Sequence, residues 1–283
     1  MLMQITRAFL KEHGLLPHKS AAQYLITDAS VVDDTVRALD VRPGDRILEI
    51  GAGCGALTER ILEEIDRTAS GNPASLTSVE IDDRYVEYLK SRFGGNSSLT
   101  VLKEDVLKID LPRIFEGKGK VAGNIPYYLS GPILRLLFDN HAVVTDVVMM
   151  LQKEVGMRVV SMPSDEYFGL LSIMRMLHYD AAVVRQVSRD LFLPVPKVDS
   201  VVIRMHVHEP LISTEDERTL IRILKHAFAA RRKMIKNTLK AVGTQSEVMG
   251  WCEEADIDLN DRAENIDLER WIRFLNAYKK TRG

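Results

Sequence analysis

Three glycines at alternate positions, Gly51, Gly53 and Gly55, follow an apolar run at 47–50 and precede a segment of helical composition. Glycine has no Cβ, so this loop can turn sharply and a ligand can approach its backbone closely. The pattern predicts a buried strand, a tight turn and a helix whose first N–H groups face the turn. Taken alone, a G-x-G-x-G loop is also compatible with a strand-to-helix connection that binds no ligand.

Acidic side chains follow the next two predicted strands. Glu80 ends a strand predicted over 76–81, and Asp105 follows one predicted over 99–102. A carboxylate at the end of the second strand of a βαβ unit accepts hydrogen bonds from ribose hydroxyls, and one after the third strand suits the exocyclic amine of an adenine. These residues predict a site for an adenosine-containing cofactor, either a dinucleotide or S-adenosylmethionine.

The sequence Asn124-Ile125-Pro126-Tyr127 follows a fourth strand, predicted over 120–123. Ligands of doubly wound sheets bind beyond the carboxyl ends of the strands, which is where this segment is expected. The Asn124 side chain offers an oxygen that can accept an N–H, Pro126 restricts Ile125 to an extended conformation, and Tyr127 offers a ring face to a base. The segment predicts recognition of an amino-purine, and a rigid turn with a packed tyrosine is the alternative.

Strand and helix signals alternate through most of the chain, which predicts an α/β protein with a doubly wound, mostly parallel, seven-stranded sheet. The remaining strands are predicted over 145–151, 181–187 and 198–208. Beyond about residue 215 the pattern is helical, and Glu209-Pro210 precedes an acidic linker. We therefore expect one domain over 1–210 and a small C-terminal all-α domain over 211–283.

The composition excludes several classes of protein. Cys54 and Cys252 are the only cysteines in 283 residues. We therefore expect no disulfide framework, and we expect the protein to occur in a reducing compartment. No cluster of residues has the spacing of metal ligands, and we expect no metal. No run approaches the roughly 20 apolar residues that span a bilayer, and the first 18 residues do not resemble a secretory signal. We expect a cytoplasmic protein without membrane contact, and an organellar location stays open.

A basic cluster lies in the C-terminal region. Between Leu224 and Lys240 the chain has six basic side chains and no acidic one, although the net charge of the protein is −2. They are Lys225, Arg231, Arg232, Lys233, Lys236 and Lys240. Four of them are predicted to share one stripe of a helix whose other side is apolar. Such a cluster favours contact with phosphates, and a solvated helix face is the alternative.

Several segments together resemble the family of ribosomal RNA adenine N6,N6-dimethyltransferases. The resemblance extends from Lys19 to about residue 275. The segments that carry it are Glu-Ile-Gly-Ala-Gly-Cys-Gly at 49–55, Val-Glu-Ile-Asp at 79–82, Asn-Ile-Pro-Tyr at 124–127, Met-Leu-Gln-Lys-Glu-Val at 150–155, Phe-Leu-Pro-Val-Pro-Lys-Val-Asp-Ser at 192–200 and Ala-Phe-Ala-Ala-Arg-Arg-Lys at 227–233. The asparagine and proline segments are the specific ones.

The resemblance implies a Rossmann-like methyltransferase that uses S-adenosyl-L-methionine, releases S-adenosyl-L-homocysteine and dimethylates N6 of adenines. The expected targets are two adjacent adenines near the 3′ end of small-subunit rRNA. The expected partner is this RNA or the immature small ribosomal subunit. The enzyme is expected to be a monomer with a role in ribosome biogenesis. The domain over 1–210 would bind the cofactor and catalyse the reaction, and the domain over 211–283 would bind RNA.

The resemblance also assigns roles to residues. The Asn124 side-chain oxygen and the Ile125 carbonyl would accept the two N–H groups of the adenine amine, and Tyr127 and Phe192 would cover the two faces of the base. The implied cofactor-binding residues are Tyr24, Ile26, Gly51, Gly53, Gly55, Glu80, Ile81, Asp105, Val106 and Asn124. The implied RNA-binding residues are Lys19, Arg231, Arg232, Lys233 and Lys236.

The chain departs from the family pattern in two places. Where the family has Gly-Gln-Asn or Gly-Gln-His, this chain has Ala22-Gln23-Tyr24, which changes the residue expected at the methionine end of the cofactor. Where the family has Tyr-Gly-Arg-Leu-Ser, residues 168–172 read Phe-Gly-Leu-Leu-Ser, so an arginine and its contact are absent.

Three other functions stay open at this point. The same fold could methylate large-subunit RNA or DNA adenines, although DNA enzymes usually have Pro-Pro where this chain has Ile125-Pro126. A non-enzymatic assembly or transcription factor could keep the fold and bind RNA, and Tyr24 is the reason to consider it. A nicotinamide dehydrogenase fits poorly, because the chain has no Tyr-x-x-x-Lys pair.

Overall fold

The structure, a computed structural model, describes residues 6–17, 23–69, 71–230 and 233–282. They form two compact units. The first combines the described parts of Met1–Gly156 with Ala181–Val207, and the second combines Met157–Asp180 with the described parts of His208–Gly283. The end of the first unit lies close to the boundary predicted at 210. The segment Met157–Asp180, expected in the first domain, instead belongs to the second unit, where its apolar side chains join a helical core.

The described residues contain nine strands and twelve α-helices. The strands are β1 (Leu25–Ile26), β2 (Arg46–Ile50), β3 (Ser75–Glu80), β4 (Leu99–Lys103), β5 (Gly119–Asn124), β6 (Val144–Gln152), β7 (Tyr179–Val187), β8 (Phe192–Leu193) and β9 (Ser200–Val207). The helices are α1 (Arg7–Glu12), α2 (Ala29–Leu39), α3 (Ala56–Thr68), α4 (Asp83–Phe93), α5 (Leu111–Phe115), α6 (Ser130–Asp139), α7 (Lys153–Val160), α8 (Leu170–Met176), α9 (Thr214–Ala227), α10 (Ile235–Thr238), α11 (Gln245–Glu254) and α12 (Leu268–Arg282). All seven predicted strands are present.

The seven-stranded sheet has the order β4-β3-β2-β5-β6-β9-β7. Strands β2 to β6 pair in parallel, and β9 runs antiparallel to β6. In β2, Ile50 lies between Val79 of β3 and Gly123 of β5. The chain order reverses between β2 and β5, and such a switch point opens a crevice for ligands beyond the strand ends. The predicted doubly wound fold is therefore confirmed.

The elements around this crevice form for local reasons. Asp28 accepts a hydrogen bond from the Ser30 N–H at 2.8 Å and so caps α2. This helix buries Val32, Val36 and Leu39 in the core below the sheet. Besides the main sheet, β1 pairs antiparallel with β8, Leu25 opposite Leu193. Strands of two residues have no periodicity, which is why neither was predicted.

The second unit is built from α8 to α12 around buried aromatic rings, among them Trp251, Trp271 and Phe274. The predicted helical stripe is wrong, because α9 ends at Ala227 and α10 begins only at Ile235. The apolar residues predicted to face the core do so in part, since Ile221, Leu224, Ile235 and Leu239 are buried.

A buried cation stabilises the start of this unit. Arg175 is 5 % exposed and donates hydrogen bonds to the carbonyls of Val159, Ser161 and Tyr179. Burial lowers the pKa of its guanidinium to about 10. Within the described part of the chain, no helix is both long enough and apolar enough to cross a membrane.

Candidate active site

A cavity of about 330 Å³ opens in the first unit beyond the carboxyl ends of β2, β3 and β5. Its volume is in the range of sites for small molecules, about 300–1,000 Å³. It brings together most of the residues predicted at separate strand ends. Those that line it are Tyr24, Ile26, Gly51, Gly53, Glu80, Ile81, Asp105, Val106, Asn124, Ile125 and Tyr127.

The glycine loop has the left-handed backbone that its sequence predicts. The φ angles of Gly51, Gly53 and Gly55 are 72°, 53° and 87°. A Cβ on Gly51 would lie 3.3 Å from the backbone oxygen of Asn124, so glycine lets β2 and β5 end side by side. Gly55 does not line the cavity. It starts α3, and a Cβ there would lie 2.8 Å from the side chains of Leu89 and Phe93. Gly55 thus supports the loop through packing against α4.

Glu80 is held in place by backbone N–H groups. Its Oε2 accepts a hydrogen bond from Gly53 N–H at 2.9 Å, and its Oε1 accepts from Ile81 and Asp82 N–H at 2.8 and 2.9 Å. The side chain is buried but lines the cavity. Three of the roughly four lone-pair sites of the carboxylate are thus occupied, and Oε2 can accept one further hydrogen bond, such as one from a ribose hydroxyl.

Glu49 lies deeper in the same cavity wall and connects three elements. Its Oε2 accepts hydrogen bonds from Thr58 Oγ1 on α3 at 2.6 Å and from Ser78 Oγ on β3 at 2.5 Å. Its Oε1 is buried and has no hydrogen-bond partner among the described residues. Burial raises the pKa of this carboxyl to about 7. Through these contacts Glu49 connects the end of β2 to α3 and β3, and so organises the glycine loop between them.

Asn124 ends β5 and faces the cavity with its side-chain oxygen uncommitted. The amide Nδ2 donates a hydrogen bond to the Tyr24 carbonyl at 2.9 Å. No described residue donates a hydrogen bond to its Oδ1, nor to the carbonyl of Ile125, a residue that also lines the cavity. Two acceptors on consecutive residues are therefore available to an N–H donor in the cavity.

Tyr127 stands three residues after Asn124, in a short 3₁₀ turn. Its hydroxyl shares a hydrogen bond of 2.7 Å with Ser200 Oγ, and burial raises the pKa of the phenol. Its ring stacks on that of Tyr24, with centroids 5.2 Å apart and planes 26° apart. Ser200 belongs to the proline-rich segment that was recognised in the sequence, but its contact with Tyr127 was not predicted.

Phe192 does not meet its predicted role in this structure. It is 2 % exposed, packs in the core below the sheet and is not among the residues that line the cavity. Its β8 position opposite Ile26 turns the ring into the core instead of toward Tyr127. A base on Tyr127 would meet Phe192 only after that ring became exposed.

Asp105 and Val106 lie at the cavity edge formed after β4. The Oδ1 of Asp105 accepts a hydrogen bond from Leu107 N–H at 3.0 Å and thereby begins a short 3₁₀ turn. This bond fixes the carboxylate beside the cavity and leaves its other oxygen to a ligand.

Three of the residues predicted to bind RNA, Lys19, Arg231 and Arg232, lie outside the described residues. Lys233 and Lys236 are exposed on the second unit. The Nζ of Lys236 donates a hydrogen bond to Asn260 Oδ1 at 2.7 Å.

The mostly parallel sheet, the glycine loop and the strand-end carboxylate at one cavity define a Rossmann-like protein with a site suited to an adenosine-containing ligand. Comparison with known proteins narrows this class. Residues 15–280 match the family described as Ribosomal RNA adenine dimethylase, and the chain belongs to that family. The predicted family and enzyme class are thereby confirmed.

Two curated relatives share the name Ribosomal RNA small subunit methyltransferase A. The chain is 34% identical to the one from Moorella thermoacetica over 278 residues, 94% of each chain. It is 37% identical to the one from Pseudomonas fluorescens over 259 residues, 90% of this chain and 92% of that one. Among solved structures, a dimethyladenosine transferase from Plasmodium falciparum superposes with a TM-score of 0.74 at 25% identity, covering 90% of this chain and 98% of that one.

Proposed function

We propose that this protein transfers methyl groups from S-adenosylmethionine to N6 of adenines in small-subunit rRNA, two on each of two adjacent adenines near the 3′ end. The family and the names of the relatives support this reaction. Its main structural support is Asn124, a residue of the cavity lining whose amide nitrogen is bound to the Tyr24 carbonyl while its side-chain oxygen accepts no hydrogen bond from a described residue.

The residues around the cavity fit the proposed cofactor. Glu80, a buried carboxylate whose Oε2 can accept one further hydrogen bond, would accept it from a ribose hydroxyl, and Asp105 with the Val106 backbone would bind the adenine edge. The left-handed backbone at Gly51 and Gly53 would let the methionine part lie against the loop. When bound, S-adenosylmethionine supplies a methyl group made electrophilic by its sulfonium.

The amine of adenine is a poor nucleophile, because its lone pair is delocalised into the ring. Two residues of this chain could make that lone pair available. The Asn124 side-chain oxygen and the Ile125 carbonyl would accept its two N–H groups and favour a tetrahedral nitrogen whose lone pair is free to attack. Each transfer would form one N–C bond while the S–CH₃ bond of the sulfonium breaks and its electron pair stays on sulfur, which leaves S-adenosylhomocysteine. The nitrogen would then release one proton to water. Alkylation makes this nitrogen acidic, so the reaction requires no strong general base.

Tyr127 would provide the surface on which the target base stacks. Taking an adenine out of its stack in RNA costs a few kcal/mol, and stacking on an aromatic side chain recovers about 1–3 kcal/mol per base. The Ser200 hydroxyl, 2.7 Å from the Tyr127 hydroxyl, fixes the orientation of this ring.

We further propose that the enzyme acts as a monomer in the cytoplasm on the immature small ribosomal subunit, with the exposed Lys233 and Lys236 contacting phosphates together with Lys19, Arg231 and Arg232. The cluster has no acidic neighbour in sequence, which supports a role in RNA binding.

The test is to incubate the purified protein with S-adenosylmethionine and unmethylated small-subunit RNA or particles, and to analyse the nucleosides by mass spectrometry. N6,N6-dimethyladenosine in this RNA is the expected product. Large-subunit RNA and adenine-containing DNA are incubated in parallel. Methylation of either of these alone, or of no substrate, would contradict the proposal.

A further inference from the structure

Tyr24 covers the ring of Tyr127, the surface assigned above to the target adenine. The ring centroids are 5.2 Å apart and the planes differ by 26°. This is the geometry of two rings in direct contact. A base inserted between them would need a gap of roughly 7 Å, twice the contact distance of about 3.5 Å between carbon atoms. An adenine therefore cannot enter between the two rings as they stand.

The backbone of Tyr24 is held more firmly than its ring. Its carbonyl accepts the hydrogen bond from Asn124, and the next residue, Leu25, begins the pairing with β8. The side chain is half-buried, and its hydroxyl makes no hydrogen bond with a residue that the structure describes. Rotation about the Cα–Cβ bond can thus remove the ring while the carbonyl continues to hold Asn124.

We propose that Tyr24 is an internal competitor of the target base: its ring occupies the face of Tyr127 in the RNA-free enzyme and swings aside when an adenine is inserted. This inference rests on the proposed function. It gives a physical role to the residue at which the chain departs from its family. The backbone of Tyr24 prepares the amine-binding oxygen of Asn124, and its ring limits access to the stacking surface.

The size of the effect follows from the strength of one aromatic stack. Such a pair contributes about 0.5–1.5 kcal/mol beyond its buried area. The apparent affinity for the base equals the intrinsic affinity multiplied by the fraction of molecules in which Tyr127 is uncovered. Removing the Tyr24 ring is therefore expected to tighten binding of adenosine at the acceptor site about 2- to 10-fold.

The experiment measures adenosine binding by calorimetry in enzyme saturated with S-adenosylhomocysteine, so that adenosine cannot enter the cofactor part of the cavity. Tyr24→Ala is expected to bind adenosine 2- to 10-fold more tightly than the unaltered protein. Tyr24→Phe keeps a ring on Tyr127 and is expected to retain the weaker binding. Tyr88→Ala is the matched control, because Tyr88 contacts Phe9 edge to face at 6.0 Å and does not line the cavity.

Equal or weaker adenosine binding by Tyr24→Ala would overturn the inference, because the ring would then be neutral or helpful to the base. If Tyr24→Ala does not unfold cooperatively, Tyr24→Asn replaces it with the same expectation. Methyl transfer by the unaltered protein is measured separately. Dimethylation of small-subunit RNA without tighter binding by Tyr24→Ala rejects only the role of Tyr24. Absence of both methyl transfer and adenosine binding rejects the proposed function as well.

Discussion

Asn124 donates an amide hydrogen to the backbone carbonyl of Tyr24 across 2.9 Å, although the two residues are 100 positions apart in the chain. Only the NH₂ group of an asparagine can bond to a carbonyl oxygen, so this contact decides which way the amide is turned. The side-chain oxygen is left for the cavity. The protein itself, before any ligand binds, thus fixes the acceptor that the proposed reaction needs.

Replacement of Asn124 by alanine tests this arrangement. Methyl transfer by Asn124→Ala is expected to fall by about 10²–10³, as for loss of one group that stabilises a transition state, while binding of S-adenosylhomocysteine is largely spared. Single-turnover kinetics and calorimetry measure the two quantities. The control is Asn140→Ala, because Asn140 likewise donates to a backbone carbonyl, that of Leu136 at 2.8 Å, but ends α6 outside the cavity. Unchanged turnover in Asn124→Ala would refute the role.

Glu80 gives a second test, directed at the cofactor. Charge-assisted hydrogen bonds contribute about 1.5–3 kcal/mol each, so Glu80→Ala is expected to weaken binding of S-adenosylhomocysteine about 10- to 100-fold. Loss of the carboxylate also leaves the N–H groups of Gly53, Ile81 and Asp82 without their partner. Calorimetry checks the prediction, with the exposed Glu87→Ala on α4 as the control. Equal effects of both variants would exclude a ribose contact by Glu80.

Glu49 predicts a pH dependence of stability. Its pKa rises from an ordinary 4.5 to about 7 in the folded protein, because the carboxyl is buried. The folded state therefore binds the proton more tightly than the unfolded state, and protonation of Glu49 stabilises the fold. This contribution to the free energy of unfolding is complete below pH 4.5 and is lost as the pH rises to about 7. The loss is on the order of 3 kcal/mol. Urea unfolding at pH 5 and pH 7.5 should show it in the unaltered protein and not in Glu49→Gln. Parallel curves for the two proteins would exclude it.

The basic residues of the second unit give a test with RNA. Lys233→Ala combined with Lys236→Ala is expected to weaken RNA binding and to reduce the slope of log K against log salt by about 0.7–0.9 for each lost phosphate contact. Lys90 and Lys118 are exposed lysines of the first unit, so their double alanine variant changes the net charge equally. If the slope of log K against log salt is the same in both double variants, Lys233 and Lys236 make no specific contact with RNA phosphates.

Much of the site could be predicted from the sequence, because its parts follow strands in a fixed order. A parallel sheet brings the ends of successive strands to one edge, and this placed Gly51, Glu80, Asp105 and Asn124 at one cavity. The prediction needed only the strand positions and the residue that follows each strand.

What could not be predicted depends on contacts between distant segments. The stack of Tyr24 on Tyr127 and the burial of Phe192 depend on how β1 and β8 pair. The bond between Ser200 and Tyr127 depends on the pairing of β9 with β6, where Ser200 lies opposite Gln152. The helical stripe failed for a different reason. The composition of the basic segment is helical throughout, but α9 and α10 pack as separate helices with Ile235 inserted in the core.

The pairing of β1 with β8 has a consequence for synthesis of the protein. Thr27 N–H bonds to the Leu191 carbonyl at 2.9 Å, beside the pair Ile26 and Phe192. A ribosome makes the chain from its N-terminus, so β1 has no partner until this late stretch has emerged from the exit tunnel. The glycine loop and its carboxylates are made much earlier. In a nascent chain that ends before Leu191, the glycine loop and the carboxylates of the cofactor site are consequently present on one side of the crevice. On the other side, β1 has no strand with which to pair.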